Sequence, residues 1–290
     1  MKSTLPSWAS APKPFKYPLT LSALLLLSAC SLLYKEAGQT WSVRKSIEIE
    51  PKTKLILDLE HAELILLGGS NPLLTVQAES QHGTQADLSI ERDDEVLYLA
   101  HRDNGRTAEK SLAMTLGVPD GARIDLRILT GSVSIRDFEG VLHVESRSAT
   151  LHASNVAGEL WVTTPRGAVS LENSSGEIHI LGQAGPVSLS SLHGEIFVTT
   201  IMGDIQFEGQ PVAGDRLKFE TDHASVLLQL FTDSDAQLDL NSSGGQILCS
   251  FPGLNTTGLN CSTTIGAGAA QISIRTVSGP IRIENWPWVP

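Results

Sequence analysis

The segment Gly158-Glu-Leu-Trp-Val-Thr-Thr-Pro-Arg-Gly167-Ala-Val-Ser-Leu-Glu-Asn-Ser-Ser-Gly176-Glu-Ile-His-Ile-Leu-Gly-Gln-Ala-Gly185-Pro-Val-Ser-Leu-Ser-Ser-Leu-His-Gly194 restates one phrase every nine residues. The phrase is glycine, any residue, apolar, any residue, apolar, then a polar turn. It extends outward through Gly131, Gly140 and Gly203, with Ala149 filling the one slot that lacks glycine. Apolar residues two apart project from one face of a strand, and the rest of each phrase is long enough only for a bend. A fixed short period of this kind predicts a stacked solenoid.

Written in order, the phrases alternate between two kinds. Those starting at 131, 149, 167 and 185 carry Asp137, Asn155, Asn173 and Ser191 six residues on, types that tolerate left-handed backbone at a corner. The interleaved phrases carry His143, Trp161, His179 and Phe197 at their fourth position, pointing outward. An eighteen-residue coil of two strands and two corners reproduces both patterns, each strand parallel to its equivalent about 4.8 Å away. The fold class is therefore all-β: a two-sheet β-solenoid with one chain per coil, about 18 residues per coil and nine-residue half-coils. A meander of antiparallel hairpins could use the same strand length, but it would not require like residues to recur every eighteen.

Weaker copies of the apolar pair occur at Leu88/Ile90 and Leu97/Leu99, Ile124/Leu126 and Val133/Ile135, and Leu217/Phe219 and Val226/Leu228. Others fall at Leu238/Leu240 and Ile247/Cys249, and at Ile272/Ile274 and Ile281/Ile283. The solenoid is expected over residues 44–290, regular over about 124–210 and with atypical coils at both ends to cover an otherwise open core.

Residues 1–29 hold Lys2, Lys13 and Lys16, no acidic residue, and an apolar run from Leu19 to Ala29. That run is shorter than the roughly 20 residues of a spanning helix, which marks a secretory leader. Leu27-Ser28-Ala29-Cys30 resembles the bacterial lipobox, and the resemblance implies cleavage before Cys30 and its acylation, followed by a linker over 30–43. Ser31 in place of aspartate implies sorting to the outer membrane where the cell has two membranes, and otherwise the outer face of the cell membrane. Cleavage leaves 18 basic against 32 acidic residues, a formal charge of −14 that repels phosphate backbones and excludes nucleic acid as a partner. Two cysteines remain, Cys249 and Cys261. Export permits a disulfide between them; otherwise Cys249 is simply the apolar core residue of its phrase.

The lead-in Leu116-Gly-Val118-Pro119-Asp-Gly121-Ala-Arg-Ile124-Asp-Leu126, followed by Thr130-Gly131-Ser-Val133-Ser-Ile135 and the repeated Gly-x-Ile-x-Ile units, resembles the DUF4097 family of bacterial envelope proteins. The run Lys54-Leu-Ile-Leu57-Asp-Leu59 through Glu63-Leu64-Ile-Leu66 is similar to that family's opening strands. The resemblance implies a β-solenoid, an envelope location and an adhesin-like role. It brings no catalytic residues.

The candidate binding surface is the row His143, Trp161, His179 and Phe197, flanked by Glu159, Glu177 and Glu195 at the same eighteen-residue step. Rings in a row can grip sugar faces or a partner strand, or can serve only as cross-strand support. The stacked glutamates invite a cation or lean apart in water. No metal site is expected: His143 and His179 are two coils apart, about 10 Å, too far to share one zinc ion, and the corner row has aspartate only at Asp137, with Asn or Ser elsewhere, unlike a calcium roll. Asp222, His223 and Ser225 have the residue types of a hydrolase triad, but neighbouring strand positions face opposite ways.

These observations predict a non-enzymatic, lipid-anchored envelope module without cofactors. It binds the membrane through its anchor and takes an envelope glycan or another protein as partner. The alternative is a carbohydrate-active β-helix lyase or hydrolase, which would need clustered acids or cations in a cleft. If Cys30 is the acylation site, Cys30→Ser leaves a full-length, unlabelled precursor when cells are fed a fatty-acid analogue. Equal label in mutant and parent refutes the assignment.

Overall fold

Alternation within each phrase becomes strand, and the polar remainder becomes corner. The computed structural model describes residues 40–50, 53–80, 87–102, 112–252 and 254–286. In its regular part a front sheet is built from Glu139–Ser146, Ala157–Thr164, Ser175–Gly182 and His193–Thr200, all parallel. A back sheet is built from Thr150–Ser154, Val169–Glu172, Val187–Ser190 and Ile205–Gly209, also parallel. Every pairing joins residues eighteen apart, such as Gly158 with Gly176 and Val169 with Val187. The parallel solenoid, not the meander, is the architecture here. Inward positions of both sheets, Leu160, Ile178 and Ile196 against Leu151, Leu171 and Leu189, form one continuous core.

The corners follow the sequence. Asp137, Asn155, Asn173 and Ser191 all have positive φ, between 47° and 54°. Each donates its backbone N–H to a carbonyl of the next coil, as Asn155 does to Glu172 and Asn173 to Ser190. The residues just after them plug the corner from inside: Phe138, Val156, Ser174 and Leu192 are buried, and the Ser174 hydroxyl donates to the Glu172 carbonyl. Glycine opens each front strand because the coils touch there. A Cβ on Gly176 would overlap the carbonyl oxygen of Gly158, and the same holds for Gly185 over Gly167 at the opposite corner.

That opposite corner carries a motif the nine-residue reading passed over, a hydroxyl three residues before the glycine or alanine. Thr164 accepts the Gly167 N–H at 2.9 Å, Ser242 accepts the Gly245 N–H at 2.8 Å, and Thr276 donates to the Gly279 carbonyl at 2.6 Å. These hydroxyls are buried, so each closes a turn whose backbone groups have no water to bond.

The ends depart from simple stacking. Strand Lys54–Gly69 rounds a corner and lies between the coil of Val96–His101 and Leu112–Pro119 and the coil of Ala122–Arg136, although both follow it in sequence. At the far end the last coil, Ala270–Thr276 with Ile281–Trp286, inserts between Arg216–Thr221/Val226–Phe231 and Ala236–Ser242/Ile247–Phe251. Leu88–Asp93 and Val96–His101 are antiparallel neighbours, with Ile90 facing Leu99, instead of two sides of one coil. Two residues separate them, too few for a corner, and Asp94 at φ 46° makes a tight hairpin instead. Trp41–Glu48 and Leu73–Ser80 add antiparallel strands at the same end, and Leu254–Gly258 with Asn260–Ile265 does so at the other. The first strand thus begins at Trp41, ahead of the expected boundary at residue 44.

Ile178, 1% exposed, and its outward neighbour Glu177 test the inward and outward assignment. Ile178→Asp should cost about 4 kcal/mol or more by burying an unpaired carboxylate, and Glu177→Ala should stay within about 0.5 kcal/mol. Denaturant unfolding followed by circular dichroism separates the two, and equal losses would contradict the register.

Candidate functional site

Because Gly140, Gly158, Gly176 and Gly194 pair in register, the residues three beyond them fall in line on the front sheet. The structure brings His143, Trp161, His179 and Phe197 together as one column. Trp161 and His179 stack with centroids 3.8 Å apart and planes 6° from parallel. His179 stacks on Phe197 at 4.8 Å and 22°, while His143 meets Trp161 edge-on at 6.3 Å and 76°. His179 is stacked on both faces, and Trp161 and Phe197 are each stacked on one face.

The three glutamates each have a partner. His143 Nε2 lies 3.4 Å from Glu159 Oε1, His179 Nε2 lies 2.8 Å from Glu177 Oε1, and Arg216 donates to Glu195 Oε1 at 2.7 Å. Of these partners Arg216 carries a fixed charge that offsets repulsion at its end of the row, while the two histidines supply hydrogen bonds. His143 is also 3.5 Å from Asp125, which pairs with Lys54. Among the described residues, no three His, Cys, Asp or Glu side chains converge on a point where a metal ion could sit.

Beside the column lies an apolar patch that the sequence reading did not single out. Leu181, two residues beyond His179 on the same strand face, is 54% exposed, and Ile201 and Met202 at the adjoining corner are 41% and 62% exposed. The Ile201 and Met202 N–H groups both donate to the Gln183 carbonyl, which holds that corner against the strand bearing Leu181. Trp161, diagonal to Leu181 across the ladder that pairs Thr163 with Leu181, is 42% exposed and follows Glu159 by two residues. The signal was in the repeat: at the position of Leu181 the neighbouring coils carry Thr163 and Thr199.

Other polar residues serve the fold. Asp215 is buried where the step between coils changes and Glu195 pairs with Arg216. It accepts N–H groups of Gly194 at 2.7 Å and Val212 at 2.8 Å and lies 3.1 Å from His193 Nδ1, so it ties the added residues before it to the preceding strand. The triad-like residues have separate partners: His223 bonds Ser278 at 2.9 Å, and Ser225 donates to Asp204 at 2.7 Å. Cys249 and Cys261 face each other across the core, with sulfurs 3.6 Å apart. Cys30 lies outside the described residues.

The glycine-punctuated solenoid with capped ends is the fold of the Toastrack DUF4097 family. The family model matches residues 69–284, and the chain belongs to it. Among solved structures, the chain is similar to a protein of Bacteroides fragilis provisionally named an adhesin, at 13% identity over 84% of this chain and 97% of that one, with a TM-score of 0.40. It is similar to a cell adhesion protein, also provisionally named, of Clostridium sporogenes at 13% identity over 86% and 100%, with a TM-score of 0.30. A third, from Parabacteroides distasonis and provisionally named lipid binding, is 12% identical over 84% and 97%, with a TM-score of 0.31. No functionally curated protein matches the chain.

The column's contribution to stability follows from its contacts. Trp161→Ala removes a stacked pair and should lower the unfolding free energy by about 1 kcal/mol more than His143→Ala, which removes an edge contact and two partly exposed contacts with Asp125 and Glu159. Equal effects in denaturant titrations would show that the rings do not stack in solution.

Proposed function

We propose that this protein is a non-enzymatic binding module of the bacterial cell envelope, held at a membrane by lipid on Cys30, whose front sheet receives a partner protein on the strip formed by Trp161, Leu181, Ile201 and Met202. The observation that carries the reading is the exposure of these four large apolar side chains together, on coils whose equivalent outward positions are otherwise mostly polar. Contiguous exposed apolar area edged by charge is the usual character of an interaction surface. The self-stacked column favours a protein over a glycan, because both faces of His179 and one face each of Trp161 and Phe197 are taken by neighbouring rings. The anchor is supported by Leu27 to Cys30 and the basic leader, and the envelope location by that leader together with membership of the family. The non-enzymatic reading is supported by the placement of acids and histidines in pairs that stabilise strands and corners.

Leu181→Glu combined with Met202→Glu leaves the core and the column untouched. We expect the full chain in detergent to bind envelope material, the double variant to bind at least about tenfold less, and protease treatment of that material to abolish binding. Undiminished binding by the variant would exclude this surface, and binding that survives protease would exclude a protein partner.

A further inference from the structure

The C-terminal cap is a reversed coil of two strands, one on each sheet. Leu254–Gly258 pairs antiparallel with Ile247–Phe251 at the back, and Asn260–Ile265 pairs antiparallel with Ala236–Ser242 at the front. Residues opposite each other in an antiparallel pair project to the same side. Cys261 lies opposite Leu240, a buried core residue, and so points inward from the front. Cys249 lies beside Ile283 in the back sheet and is 2% exposed, pointing inward from behind. Their sulfurs meet between the sheets at 3.6 Å, about 1.5 Å beyond bonding distance.

The cap needs a fastening. Asn260–Ile265 alternates between exposed and half-buried residues with none fully buried, so backbone hydrogen bonds supply most of its hold. Behind it runs Ala236–Ser242, whose inward residues Ala236, Leu238 and Leu240 are fully buried. Were the cap to leave, that strand would present an open row of N–H and C=O groups over an uncovered core, the arrangement that promotes edge-to-edge association.

The structure assigns Cys249 and Cys261 to a disulfide that latches this cap, joining the back strand Ile247–Phe251 to the front cap strand Asn260–Ile265. Cys261, the more exposed thiol, attacks the oxidant as thiolate. The oxidant is itself a disulfide, either a dithiol oxidoreductase or glutathione disulfide. Attack releases one oxidant thiol and leaves a mixed disulfide on Cys261. Cys249 as thiolate then attacks the Cys261 sulfur and displaces the second thiol. Two protons and two electrons leave with the two released thiols, and one S–S bond remains in the protein. The proposal rests on export only for where the oxidant is met; the bond itself can be tested in vitro independently of that reading and of any partner.

Full-length protein in detergent is incubated with glutathione disulfide or with dithiothreitol, digested without reduction and mapped by mass spectrometry. We expect a peptide linking Cys249 to Cys261 in the oxidised sample and a melting temperature about 5–10 °C above the reduced sample. Cys261→Ser, which changes a half-exposed position, should keep the β spectrum and melt with the reduced wild type in both buffers. Complete alkylation of both thiols after oxidation, linkage of either to Cys30 or to a second chain, or identical melting of the oxidised and reduced wild type would overturn the assignment.

Discussion

Neighbouring coils of this solenoid touch backbone to backbone at both corners, and the rest of the structure depends on that contact. At one corner Gly140, Gly158, Gly176 and Gly194 stand directly above one another; at the other, Gly167, Gly185 and Gly203 follow Ala149. A side chain larger than hydrogen at most of these sites would push into a carbonyl of the coil below. Once the corners are held at this distance, strands pair in parallel, inward residues stack into one core and outward residues form straight rows. Positive φ at Asp137, Asn155, Asn173 and Ser191 turns the chain at the end of each back strand, and their N–H groups bond the following coil, so one corner sets both bend and spacing.

A stack with parallel coils has two open ends, and each exposes a sheet edge and a core layer. The protein closes both by the same two devices. The coil of Lys54–Gly69 and the coil of Ala270–Thr276 with Ile281–Trp286 are each drawn one layer inward, between two others. Antiparallel strands then cover what remains. An inserted coil is bonded on two sides, so removing it requires breaking two ladders at once. The cap strands are bonded to the coil on one side only, which is why cross-core fastening matters there.

The ring column shows how one geometry can answer a structural need and limit a functional one. In-register parallel strands bring like positions to strand spacing, where aromatic and imidazole rings stack. The stacking removes ring faces from contact with ligands and leaves the apolar strip at Leu181, Ile201 and Met202 as the surface with area to offer. The glutamates beside the column are similarly engaged, each within reach of a histidine or arginine.

In the regular coils, sequence equivalence maps directly onto space, because a parallel ladder of constant step carries residue n onto residue n + 18. For that reason the strands, the left-handed corner residues, the inward and outward faces and the alignment of His143, Trp161, His179 and Phe197 were all legible from the repeat. The order of the end coils was not: Leu55/Leu57, Leu97/Leu99 and Ile272/Ile274 carry the same apolar alternation as any other coil, and that pattern fits every neighbour equally well. Loop length and sheet closure decide which coil lies beside which. Ring orientation, the capture of His193 by Asp215 and the approach of Cys249 to Cys261 likewise belong to the tertiary structure. The first depends on side-chain torsions that a repeat does not encode, and the other two arise where the eighteen-residue step is broken and distance along the chain ceases to measure distance in space.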